Sequence, residues 1–216
     1  MFRRQFLIIL VTYLAALLLA VELYAQTPNF LGDAGKEVNG TYTITIKKIE
    51  ISQDGNTWVT LADTEQSMNI ASGNMGATIG SYVSNVLVPE GTYTQLRTTL
   101  SRTITIKGQG ADGGTTYYTT TQNGKSADGL FYYATANSGD YEAATIRVPD
   151  DAQGVELLDG DMRVTTDISG SPLVIAKGQN KSVSLSFNTK SMIGFQGTAP
   201  NFIFYPMPPQ PEYSEE

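Results

Sequence analysis

The chain has 216 residues, with 14 basic and 21 acidic side chains and neither Cys nor His. Without thiols or imidazoles there is no disulfide, no Cys nucleophile, no Fe–S or zinc-thiolate site and no Ser-His-Asp triad. A net charge of −7 argues against a surface for nucleic acid or anionic lipid, both of which need clustered Lys and Arg.

In chain order the first element is a leader. Arg3 and Arg4 precede an apolar run from Phe6 to Val21, which ends at Leu23-Tyr24-Ala25. A positive start, an apolar middle and a small residue at the exit predict a secretory signal peptide over residues 1–25, cut between Ala25 and Gln26. An uncut span needs about 20 apolar residues, and this run is shorter, with Thr12 and Tyr13 inside it. The expectation is an exported protein, periplasmic or extracellular, with no membrane span once the leader is gone. Two basic residues and one acidic residue lie in the leader, so 12 and 20 remain, a charge near −8. Such a surface suits neutral or cationic partners (glycans, divalent ions, other protein chains) or serves solubility alone.

Residues 26–40 read as a flexible N-terminal arm. Beyond it, period-two alternation with β-branched and aromatic residues recurs and a 3.6 period does not, so one antiparallel β-sandwich domain is predicted over 41–205. Thr41–Ile51 places Ile44, Ile46, Ile49 and Ile51 in the apolar set, and the slip at Lys47-Lys48 predicts a β-bulge. Asp54-Gly55-Asn56 turns the chain into Trp58–Leu61, with Trp58 expected at the core or its edge. Tyr82–Val88 and Thr92–Ile106 flank the turn Pro89-Glu90-Gly91, and Arg97 and Arg102 mark solvent-facing or bulged points.

Residues 108–140, rich in Gly, Thr and Tyr, read as an inserted hairpin, with Thr115–Thr121 running to an Asn123-Gly124 turn and Leu130–Tyr133 returning. The later strands are Ala144–Val148, Asp161–Ile168, Leu173–Ala176, Lys181–Asn188 and Phe202–Tyr205. A tight turn at Lys177–Asn180 is expected to pair the third of these with the fourth. Residues 206–216 form a Pro-rich acidic tail, expected to be extended and unpaired.

Ile44–Ile51 with Asp54-Gly55 and Trp58–Leu61, then Ser67–Ile70, then Pro89-Glu90-Gly91-Thr92-Tyr93-Thr94-Gln95-Leu96-Arg97, and finally Ala176–Phe187 carry a family resemblance. Together they resemble a family of secreted bacterial β-sandwich domains of unassigned function, similar to prealbumin-like or carboxypeptidase-regulatory-like scaffolds. The resemblance implies fold and compartment. It supplies no catalytic residues, and residues 108–140 depart from it.

Three features are candidates for function. Tyr117, Tyr118, Tyr132 and Tyr133 form doublets that, on strands, send one ring to each face. Outward rings would stack on sugars, whereas cross-strand aromatic pairing would only stabilise the hairpin. Asp159 and Asp161 offer oxygens at a turn, either as calcium ligands or as ordinary turn residues. The ends are the third candidate. Segment 27–38, with Phe30 and Leu31 as anchors, or segment 201–216 is placed to donate a strand to another copy. The reading is a non-enzymatic structural or assembly module of the cell envelope or extracellular matrix that joins copies by strand donation. The alternative is a glycan- or surface-partner-binding module that uses 108–140.

Overall fold

The computed structural model describes residues 27–72, 88–152, 154–177, 183–187, 190–207 and 211–215. The leader with its Ala25–Gln26 junction, the Tyr82–Leu87 stretch and the turn at 178–182 lie outside them. In chain order the strands begin with β1 (Phe30–Asp33), β2 (Thr41–Ser52), β3 (Trp58–Ala62), β4 (Gln66–Asn69), β5 (Gly91–Tyr93) and β6 (Gln95–Ser101). Next come β7 (Thr103–Lys107), β8 (Gln109–Asp112), β9 (Thr115–Tyr118), β10 (Tyr132–Tyr133), β11 (Ala144–Arg147) and β12 (Glu156–Leu157). The last are β13 (Asp161–Asp167), β14 (Leu173–Ile175), β15 (Val183–Phe187), β16 (Ile193–Thr198), β17 (Asn201–Pro206) and β18 (Pro211–Glu215). Every pairing is antiparallel. The fold is all-β, as the alternation predicts.

The larger sheet is built on β2. Tyr42, Ile44 and Ile46 point inward, the register shifts between Ile46 and Lys48, and Ile49 and Ile51 resume the inward set. The predicted bulge is therefore present, and it turns both lysines outward, where each meets a carboxylate. The predicted hairpin is present as well. Asp54 Oδ1 accepts from the N–H groups of Asn56 at 2.9 Å and Thr57 at 2.8 Å, an Asx-type turn that returns the chain into β3. Strands β6 and β7 run in one line beside β2, interrupted only at Arg102. On their far side lie β13 and β11, and the excursion between those two strands leaves opposite the same interruption.

The second sheet has the order β10-β17-β16-β1-β8-β9. Its two ends are tied together, because Tyr118 N–H donates to Thr135 O at 2.7 Å and Thr135 N–H donates back at 3.0 Å. The segment that starts as β10 thus has β17 on one flank and meets β9 on the other through this single bridge, so the pairings close into a circuit at Tyr118–Thr135. The chain crosses between the sheets at Gly108, where a Cβ would lie 2.3 Å from both Asp33 O and Ile193 Cδ1. One core joins them, taking Tyr42, Ile44 and Ile104 from the first sheet and Ile193, Phe195 and Phe204 from the second. Tyr42 Oη spans the layers and donates to Met207 O at 2.5 Å.

Four expectations change. The N-terminal arm is not loose: its residues 30–33 are β1, an inner strand between β16 and β8. Segment 108–140 is not a separate insertion. Its β8 and β9 pair with each other across Gly113 and Gly114, whose φ of +54° and +87° suit a two-residue hairpin turn. The hairpin expected at 173–187 does not form, because β14 pairs with β5 and β15 pairs with β18. The tail is not unpaired, since β18 belongs to it. Pro211 opens that strand, a position where the missing N–H is tolerated.

Candidate functional site

The tyrosine doublets divide between faces as alternation requires. Tyr117 opposes Gly110 on the inner face, buried against Phe30 at 6.0 Å and Phe202 at 4.8 Å between centroids. Tyr132 opposes Phe204 and stacks on it at 6.4 Å, with Lys125 Nζ 4.7 Å from the Tyr132 centroid. Tyr118 and Tyr133 take the outer face, both half-buried, and Tyr118 opposes Thr135 two residues along from Tyr133. The four rings therefore do not make one platform. The outward pair gains Tyr141, 5.3 Å from Tyr118, and Lys107 Nζ lies 4.4 Å from the Tyr141 ring. Tyr141 Oη donates to Val38 O at 2.9 Å, and burial, reinforced by Tyr118, pushes its pKa up to about 12.

The carboxylates are engaged by cations or by turns. Asp159-Gly160 is the tight turn between β12 and β13, closed by Leu158 N–H to Asp161 O at 2.8 Å, with Gly160 at φ +78°. Asp161 meets Lys47 Nζ at 2.7 Å, Glu156 meets Arg163 at 3.0 Å, and Asp150 meets Arg102 at 2.6 Å. An ammonium at that distance already supplies the positive charge that a calcium ion would bring to Asp161. Among the described residues no group of three or more metal-ligating side chains comes together.

The structure adds a cluster on the outer face of the larger sheet. Glu50 opposes Arg97 and is only 4% exposed. Arg97 donates to Glu50 Oε2 through Nε at 2.9 Å and Nη2 at 2.8 Å, and Lys48 holds Oε1 at 2.9 Å. The Arg97 guanidinium also lies 4.0 Å from the Trp58 ring centroid. Trp58 is half-buried under that cation on the outer face, outside the core, because its partner Ser52 is an outward residue of β2.

The arrangement with the clearest capacity to engage another chain is the slot between β8 and β16 that β1 fills. Phe30 stacks on Phe195 at 4.8 Å and 7° and meets Phe202 edge-on at 5.0 Å. Leu31, expected as a second anchor, points outward and is 44% exposed. At Gly32 a Cβ would stand 2.6 Å from both Gln109 O and Phe195 Cε2, so the backbones approach there as only glycine allows. Sequence reasoning found Phe30 but missed the strand, since the sole signal was an aromatic residue two positions before a glycine.

Fold and site together define an all-β sandwich domain whose second sheet is completed by its own N-terminal segment. Residues 32–206 match the family described as Domain of unknown function (DUF4382), and the chain belongs to that family. The match begins inside β1 and ends with β17. Comparison with curated proteins and with solved structures gives no match. Among the described residues no helix is long and apolar enough to cross a membrane.

Proposed function

We propose that this protein is an exported, non-enzymatic structural module of the cell envelope or extracellular matrix whose copies join by exchanging β1. The observation that carries the reading is the place of β1. It comes from the N-terminal segment, yet it lies inside a circuit of strands and is paired on both flanks. The Tyr118–Thr135 bridge joins the two ends of that circuit, which favours entry of a strand from another copy by replacement of β1. Cleavage of the leader after Ala25 would leave β1 a few residues from a free terminus, able to thread into a neighbour. The test is negative-stain microscopy with light scattering on the chain Gln26–Glu216. Concentration-dependent chains or filaments are expected, and monomers at every concentration would end the proposal.

A second reading rests on the outward group of Tyr118, Tyr133 and Tyr141 beside Lys107, a half-exposed aromatic patch suited to the apolar face of a glycan. On that reading Tyr118→Ala removes glycan retention and leaves the oligomeric state unchanged. Retention that survives the substitution would retire the patch as the binding surface.

A further inference from the structure

We infer that the slot between β8 and β16 reads sequence: it is built to accept an extended segment of pattern Asn-Phe-X-Gly-Asp, supplied in an assembly by residues 29–33 of a second copy. This rests on the reading that copies join through β1, and it adds how the right strand is chosen.

Main-chain pairing alone accepts any extended segment, and specificity has to come from side-chain contacts at alternate positions. In β1 and the residue before it, three of five positions carry such a contact and a fourth admits no side chain. The Asn29 N–H donates to Phe195 O at 2.7 Å, while its Oδ1 accepts from Gly197 N–H at 2.8 Å. Phe30 fills a place whose walls are Phe195, Phe202 and Tyr117. Leu31 faces outward and is not read. Gly32 passes where a Cβ would strike both the β8 backbone and the Phe195 ring. Asp33 Oδ1 accepts from Ser191 N–H at 2.9 Å.

The two polar contacts flank β16, one in the turn just before it and one near its end. Ser191 has φ +57° and Gly197 has φ +135°, and the N–H group of each donates to a side-chain acceptor, Asp33 or Asn29. A segment shifted by one residue would turn Leu31 into the aromatic slot and move both acceptors off their donors, so register and identity are checked together. The linker 34–40 is a compact reversal in which Gly40 N–H and Val38 N–H both donate to Gly35 O. Exchange of β1 requires this linker to open, with the buried Ala34 and the Tyr141–Val38 hydrogen bond released alongside it.

The chain has no Cys, so an introduced pair reports unambiguously. Leu31 lies beside Ala111, one step from the Gly32–Gly110 pair, and antiparallel neighbours fall within the roughly 4.4–6.8 Å that a disulfide spans. In the chain Gln26–Glu216 carrying Leu31→Cys and Ala111→Cys, oxidation after assembly is expected to give covalent ladders on non-reducing gels. Exclusively intrachain bonds would overturn exchange. Sequence reading is tested separately. A labelled peptide of residues 27–35 is titrated into the chain carrying Gly32→Val, whose own strand cannot seat. If that variant does not fold, Phe30→Ala takes its place. Peptides with Leu31→Ala should bind like the parent, and those with Phe30→Ala or Gly32→Val at least about tenfold more weakly. Equal binding by all peptides would sink the sequence reading while leaving exchange intact. Discrimination among peptides combined with intrachain bonds only would sink the assembly reading instead.

Discussion

Arg102 carries its charge into the body of the larger sheet, where it is 3% exposed. Its Nε and Nη2 donate to Val148 O at 3.0 and 2.6 Å, and Nη1 reaches Leu158 O at 3.5 Å. Those carbonyls stand at the two ends of the excursion between β11 and β13, so one side chain closes a loop that the sheet itself leaves open. Arg102→Met would keep the volume and strand the carbonyls, at an expected cost of about 2–4 kcal/mol, read as a lower urea midpoint with unchanged slope. Arg97 looks the same in sequence and does different work, covering Trp58 and neutralising Glu50. At Glu50, burial raises the pKa, but hydrogen bonds from Lys48 and Arg97 together with their charges outweigh it and hold the carboxyl below its ordinary 4.5. A depressed folded pKa gives stability that is complete above the unfolded value and is lost as pH falls through the folded one. Glu50→Gln should therefore weaken the fold at neutral pH and flatten its further loss between about pH 5 and pH 3, measured by urea unfolding across that range.

At the level of elements, two glycines separate two reasons for being glycine. Gly114 sits at φ +87° with open space around its Cβ position, whereas Gly32 meets backbone and ring at 2.6 Å. Gly114→Ala should cost only the conformational term, about 1 kcal/mol. Gly32→Ala should cost clearly more, because β8 and Phe195 must give way, and paired thermal melts would rank the two. The same contrast explains what sequence made visible. Strand β2 was legible, bulge included, because isoleucines mark its inward face over twelve residues. The Asp54-Gly55 turn was legible from local chemistry alone. Strands β1 and β16, Phe30–Asp33 and Ile193–Thr198, were not, since each carries glycines where an apolar pattern would show. Gly32 is there for the β8 backbone and the Phe195 ring, and Gly194 and Gly197 for the close approach of β17, so each depends on a neighbouring strand that its own segment does not display. The tyrosine doublets were legible as in-out pairs, but which ring joined Phe202 or Tyr141 depended on contacts distant in sequence. The pairing of β15 with β18 was hidden for a further reason: Lys177–Asn180 reads as a hairpin turn, while the partner of β15 lies in a segment that prolines mark as unstructured.

For the whole molecule, the proposed assembly brings like-charged copies together. The full sequence carries −7 and would carry about −8 without residues 1–25, a charge that opposes association and that added salt screens. Assembly of the chain Gln26–Glu216 should therefore speed up from low to moderate NaCl, followed by light scattering, and a rate that falls with salt would mean that specific ion pairs guide the encounter. No disulfide holds the sandwich, so its layers depend on the shared core and on ties such as Tyr42 to Met207. The circuit of the second sheet has a further effect, on time. A strand seated within it is bonded left and right, and it departs only when both ladders open together, which is a partial unfolding of the host. Two copies that had traded such strands would separate at a rate set by the host's own breathing, indifferent to dilution. Their union would last as long as the fold does, however small the surface between them.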